Sequence, residues 1–162
     1  MKKTLVFLSL IWGMITLGLL LFIKFQRKII KDSNEKLLKF KKYYQLYNIW
    51  IQNKSKGYSF AEKLISKGYN KIAIYGNGEI GCRLYDELKE TEVQVIYFID
   101  KIANDLDLTY DEGIPVISVN NMVNYDSNID VIVITTINIM DEITELLKNT
   151  TTCNAISIEE LI

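Results

Sequence analysis

Three glycines within six residues, Gly76-Asn77-Gly78-Glu79-Ile80-Gly81, form the pattern G-x-G-x-x-G in a chain of 162 residues. Glycine at these spacings suits a phosphate. The first permits a tight turn, the second lets a pyrophosphate approach bare backbone, and the third lets the following helix pack on the preceding strand. Amides left unpaired at a helix start, together with the helix dipole, favour an anion there. Asp100 stands twenty-four residues after Gly76, at the end of the second apolar run. A carboxylate at that place accepts both hydroxyls of an adenosine ribose, which favours NAD over NADP. Two neighbours pull the other way: Glu79 opposes a phosphate unless it turns aside, and Lys101 either neutralises Asp100 or reaches for a phosphate itself. Thr135 and Thr136 end a later apolar run, where their hydroxyls either contact a ribose, phosphate or sugar or simply pack. Gly76, Asn77, Gly78, Glu79, Ile80, Gly81, Asp100, Lys101, Thr135 and Thr136 are therefore the candidate cofactor-binding residues.

Other chemistries find little to work with. Histidine is absent, which removes every mechanism that needs an imidazole base and most zinc sites. The two cysteines, Cys82 and Cys153, do not make a disulfide scaffold, fit a reducing compartment, and read as small buried residues. Tyr85 and Lys89 make a Y-x-x-x-K, but they follow the glycine loop too closely to serve as a dehydrogenase pair, and Tyr85 reads as packing. Asp141-Glu142 and Glu159-Glu160 read as solvated helix charge, and Asp105, Asp107, Asp111 and Glu112 as a solvated acidic loop whose spacing misses a calcium-binding EF-hand. No catalytic constellation or metal site is expected.

The elements that must position the glycines follow from periodicity. Ser59 to Gly68 reads as a short helix, with Ser59 and Glu62 at capping-box spacing and Gly68 closing it. From Lys71 onward, apolar strands alternate with amphipathic helices: strand 72–75, helix 79–89, strand 93–99, strand 115–117, a weak helix 119–123, strand 131–134, helix 140–148 and strand 155–158. Val131-Ile132-Val133-Ile134 is apolar on both faces, as buried parallel strands are. The expected fold class is α/β, a small Rossmann-like parallel sheet of about five strands.

Ahead of it the chain changes character. Residues 1–56 hold twelve Lys/Arg against two Asp/Glu, whereas residues 57–162 hold seven against eighteen. Thr4 to Ile23 is an uncharged run of twenty residues, about 30 Å as a helix and so the thickness of a bilayer core. No cleavage site follows it, so it reads as an uncleaved anchor rather than a signal peptide. Lys2 and Lys3 precede the run, while Lys24, Arg27, Lys28, Lys31, Lys36, Lys39, Lys41 and Lys42 follow it. Positive residues stay on the cytoplasmic side, which predicts a single-pass inner-membrane protein with a cytosolic C-terminal domain and a basic flank attracted to anionic headgroups. A helix is predicted from Ser33 to about Asn53, capped by Ser33 or Asp32, with Leu37, Phe40, Tyr44, Tyr47 and Ile51 in a two-heptad apolar stripe. That stripe is expected to dock on its own domain; pairing two copies through residues 37–51 is the alternative. The predicted organisation is an anchor over 1–30, a basic amphipathic helix over 31–56 and a Rossmann-like domain over 57–162.

Residues 57–162, from IAIYGNGEIGCRLYDEL through VIYFIDK, GIPVISVNNM and VIVITTINIMDEITELL to AISIEELI, resemble the NAD(P)/CoA-binding-like Rossmann domain of bacterial polysaccharide-biosynthesis proteins, which occurs beside nucleotide-sugar epimerase/dehydratases, sugar acetyltransferases and sugar methyltransferases. The resemblance implies binding of NAD, NADP or a nucleotide sugar during capsule or exopolysaccharide synthesis, with Gly76, Gly78 and Gly81 at the phosphates and Asp100 at a ribose. The apolar run makes the bilayer an expected partner, the resemblance adds other polysaccharide-biosynthesis proteins, and no nucleic acid is expected. No catalytic domain is attached, so a recognition module is expected. The alternatives are a subunit of an oxidoreductase or epimerase completed by a partner chain, and a membrane adaptor that binds no ligand.

Overall fold

The computed structural model describes residues 2–104, 108–110, 113–124 and 129–162, with the side chains of 4–9, 102, 104, 108–110, 123–124 and 138 excepted. The chain divides into two compact units, Met1–Lys42 and Tyr43–Ile162.

The first unit is helix α1 alone, which in full runs Lys2–Ser55. No separate helix begins at Ser33: α1 passes through Asp32 and Ser33 without a break. No proline and no glycine lies between Gly18 and Gly57 to interrupt the hydrogen-bond ladder, and Lys31 pairs with Glu35 at 3.8 Å one turn on. This is one helix long and apolar enough to cross a membrane, with Trp12, Leu17, Leu20 and Phe22 exposed to the surroundings.

The second unit is built on a sheet. Its strands are β1 Lys71–Tyr75, β2 Gln94–Ile99, β3 Leu108–Tyr110, β4 Ile114–Ile117, β5 Val131–Ile134 and β6 Asn154–Ser157, in the order β3-β4-β2-β1-β5-β6. β4, β2, β1, β5 and β6 are parallel, in the Rossmann order, and β3 pairs antiparallel with β4 at the edge. The strands expected from the apolar runs are all present. β3 is an addition, in a stretch read as acidic loop; Asp105, Asp107, Asp111 and Glu112 lie outside the described residues. Helices α2 Phe60–Ser66, α3 Glu79–Leu88 and α4 Met140–Thr150, with 3-10 turns at Lys101–Asn104, Val119–Asn124, Ile137–Ile139 and Ile158–Leu161, complete the unit.

Two cores follow from strand alternation. Ile72 and Ile74 face Leu64, Leu84, Leu88 and Phe98 on one side, while Ala73 and Tyr75 face Tyr97, Ile132, Ile143 and Leu147 on the other. The end of α1 belongs to the first core, because Leu46 and Trp50 are buried there and Trp50 meets Phe60 edge-on at 4.7 Å. The folded unit therefore starts before Gly57. It also overturns the expected docking face: Leu37, Phe40, Tyr44 and Ile51 are exposed, and of that stripe Tyr47 alone packs inward, beside Tyr43. The bulkier Leu46–Trp50 pair, one turn apart, wins the core side of the helix.

Two local expectations change as well. Ser59 stands at the start of α2 in extended conformation, but its side chain makes no cap hydrogen bond; the capping box is at Ser157 and Glu160, so Glu160 is a cap rather than idle charge. Cys82 and Cys153 are half-buried rather than buried. Gly68 does close α2 with φ of +83°, and Tyr85 is core, against Phe98 at 6.0 Å.

Candidate functional site

β1 delivers the glycines to the middle of the sheet. β1 lies between β2 and β5, where strand order reverses and ligands of open α/β sheets bind. Gly76 follows the last residue of β1 and donates its amide to the Ile99 carbonyl at 2.8 Å. Its φ of +104° is left-handed, and a Cβ there would lie 2.8 Å from Thr135 Oγ1 and 3.1 Å from Thr136 Cγ2. Only glycine fits both restrictions. Gly81 is held more tightly still: a Cβ would sit 2.0 Å from the Gly76 carbonyl oxygen, so its bareness is what lets α3 close onto the turn. Gly78 differs. It is the residue before α3, in extended conformation, and no atom of the described residues lies within 4 Å of where its Cβ would be. The first helical bond of α3 runs from the Cys82 amide to the Gly78 carbonyl, so the amides of Glu79, Ile80 and Gly81 stand ahead of the ladder.

Asp100 follows β2 and turns inward to this loop. Its Oδ2 accepts the Asn77 backbone amide at 2.8 Å, and its own amide donates to the Ile117 carbonyl at 3.0 Å. One carboxylate thus ties the glycine turn to β2 through a charge-assisted bond. Lys101 is exposed on the 3-10 turn that follows. On the other flank, buried Thr135 donates its hydroxyl to the Tyr75 carbonyl at 2.8 Å, with the Gly76 carbonyl 3.3 Å away. Thr135 therefore holds the turn's backbone. Thr136 Oγ1 is buried and has no hydrogen-bond partner among the described residues. All ten predicted residues lie in the turn, in α3's first turn, or at the adjoining ends of β2 and β5.

Burial pushes the Tyr75 phenol up, and the Asp100 charge adds to it; the Tyr75 hydroxyl also has no hydrogen-bond partner among the described residues. Burial likewise raises Tyr47 on α1, with the Glu79 carboxylate next in effect.

The turn, β1 to β5 and most of β6 lie inside residues 68–156, the segment that matches the profile of the C2185-like N-terminal family. The chain belongs to that family. The C2185-like segment takes in Gly68 at the end of α2 and every candidate site residue, and begins after α1. No curated protein matches the chain.

Sequence reasoning missed a feature that lies partly inside the C2185-like segment. A groove of about 570 Å³ runs between the end of α1 and α3, lined by Tyr47, Trp50, Lys54, Tyr58, Arg83 and Glu87, with Lys54 and Glu87 ion-paired. Its signal was the Leu46–Trp50 spacing, which shows which face of α1 turns inward.

Proposed function

We propose that the second unit binds a nucleotide-type ligand, NAD(P) or a nucleotide sugar, by seating its phosphate on the amides that open α3. The carrying observation is the contrast among the three glycines: Gly76 and Gly81 are closed in by neighbours, whereas Gly78 stands open. Steric need explains the first two. Close approach of a ligand to backbone explains the third. Thr136 Oγ1, buried and unpaired beside Gly76, adds a polar group at the same turn. Asp100 has a positional part in this reading: it pins Asn77 before any ligand arrives.

The apolar part of α1 anchors the protein in the inner membrane of a bacterium, with the second unit in the cytosol, as the lysines after the span favour. There it serves as a recognition or regulatory module in surface-polysaccharide synthesis, with catalysis left to partner proteins.

Thermal melting of residues 43–162 with NAD, NADP, nucleotide sugars and coenzyme A in turn tests the ligand. A compound at a hundred times its dissociation constant adds about 2.7 kcal/mol of stability. Gly78→Val should abolish that gain while the ligand-free melt stays nearly unchanged. If none of the compounds moves the melt, the reading fails and the adaptor alternative takes its place.

A further inference from the structure

We propose that two copies of this chain pair in parallel through one face of α1 just beyond the apolar span. The pairing rests on the reading of that span as a membrane anchor. Within the first unit, Ile23, Ile30 and Leu37 recur every seven residues and Phe40 adds the intervening position, the a and d places of a heptad. All four are exposed, Ile30 at 57%, Leu37 at 66% and Phe40 at 70%. The same seven-residue spacing continues in the sequence to Tyr44 and Ile51, also exposed.

The face opposite says what does not cover the seam. At 3.6 residues per turn, Lys24, Arg27, Lys28, Lys31, Lys39 and Lys42 fall within an arc of about 120°, and Ile30, Leu37 and Phe40 fall in the opposing arc. Six cations are thereby gathered on one side of the helix, with Leu38 among them, while Lys36 and Lys41 border the arc that holds Ile30, Leu37 and Phe40. A helix continuous with a membrane span does not turn that apolar side down into the lipid surface. A second copy meets the requirement: a heptad seam is complementary to itself, and two anchors in one membrane are already parallel and concentrated in a plane. A strict seven-residue repeat drifts by about 20° per heptad on a straight helix, so the pair winds left-handed.

At about 100 Å² for each exposed large side chain, the four positions of the first unit in two copies offer about 800 Å², a small interface that co-anchoring in one membrane plane supplements. Lys36 and Lys41 flank the seam in the places that meet across a parallel pair. They repel there, and salt screens the repulsion.

Disulfide scanning of the full chain in lipid vesicles tests the pairing. Cys82→Ser and Cys153→Ser remove the native thiols, and single cysteines then replace Ile30, Leu37 or Phe40 on the seam and Lys31, Lys39 or Lys42 on the basic face. Cysteines whose Cα atoms approach within about 7 Å can be bridged. Cross-linked dimer should form several-fold more from the seam than from the basic face, rise with added salt, and vanish when Phe40→Glu is added to Leu37→Cys. Equal cross-linking from both faces, none from the seam, or a fall with salt overturns the proposal. Alkaline extraction of the same vesicles reports on the span separately: protein that washes off refutes the anchor and the parallel restraint with it.

Discussion

At the scale of single residues, the three glycines of the turn have three different jobs, and substitution should separate them. Gly81→Ala drives a Cβ into the Gly76 carbonyl, 2.0 Å away, and backbone cannot swing aside as a side chain can. It should cost about 3 kcal/mol or more in denaturant melts of residues 43–162. Gly78→Ala meets open space and should cost less than about 1 kcal/mol in the same melts. Equal losses at the two positions would contradict the packing described. A second residue-scale effect lies at the opposite end of β1. Asp130 Oδ2 accepts the backbone amides of Asn70 and Lys71, each at 2.8 Å, and these bonds hold its carboxyl below the usual carboxylate range. The folded pKa is the lower one, so the stabilisation is complete above the ordinary value of 3.8 and is lost as pH falls through the folded value. The carboxylate is exposed and screened, so Asp130→Asn should cost under about 1 kcal/mol at neutral pH. The gap between the two proteins should close as urea melts are taken to more acid pH. Of these features the glycine spacing was legible in the sequence. The Asp130 clamp was not, because it joins residues sixty positions apart.

At the scale of elements, the end of α1 is the piece that sequence reading assigned to the wrong neighbour. Its apolar residues are dense enough to make two stripes, and heptad spacing selects Leu37, Phe40, Tyr44, Tyr47 and Ile51. The structure buries Leu46 and Trp50 instead, because α2 offers Phe60 as an edge-on partner for the indole. Trp50→Ala in residues 43–162 should therefore cost about 3–5 kcal/mol by urea denaturation. A fragment starting at Gly57 should melt well below one starting at Tyr43; equal melting temperatures would remove α1 from the core. The strands and α3 were legible, since a run apolar on both faces, or a helix with Ile80, Leu84 and Leu88 on one side, leaves a single way to bury itself. β3 was not, because its three residues pair at an edge and carry too short a pattern to read.

For the whole molecule, the proposed cytosolic placement of the basic flank predicts that protease added outside intact cells leaves the second unit whole and degrades it once the membrane is opened. Digestion in intact cells would reverse the orientation.

The sequence by itself determined the local matters: the anchor-length apolar run, the alternation of strand and helix, and the bare-backbone bend between β1 and α3. Each follows from residues near one another in the chain, where periodicity, sterics and the missing Cβ act without help from elsewhere. Tertiary structure alone decided which side of α1 faces the core, that Asp100 ties Asn77 and Thr135 holds the carbonyls of the turn, and that Asp130 clamps the start of β1. Those are choices among partners distant in sequence, and a side chain's partner is set only when the sheet has brought the strand ends together.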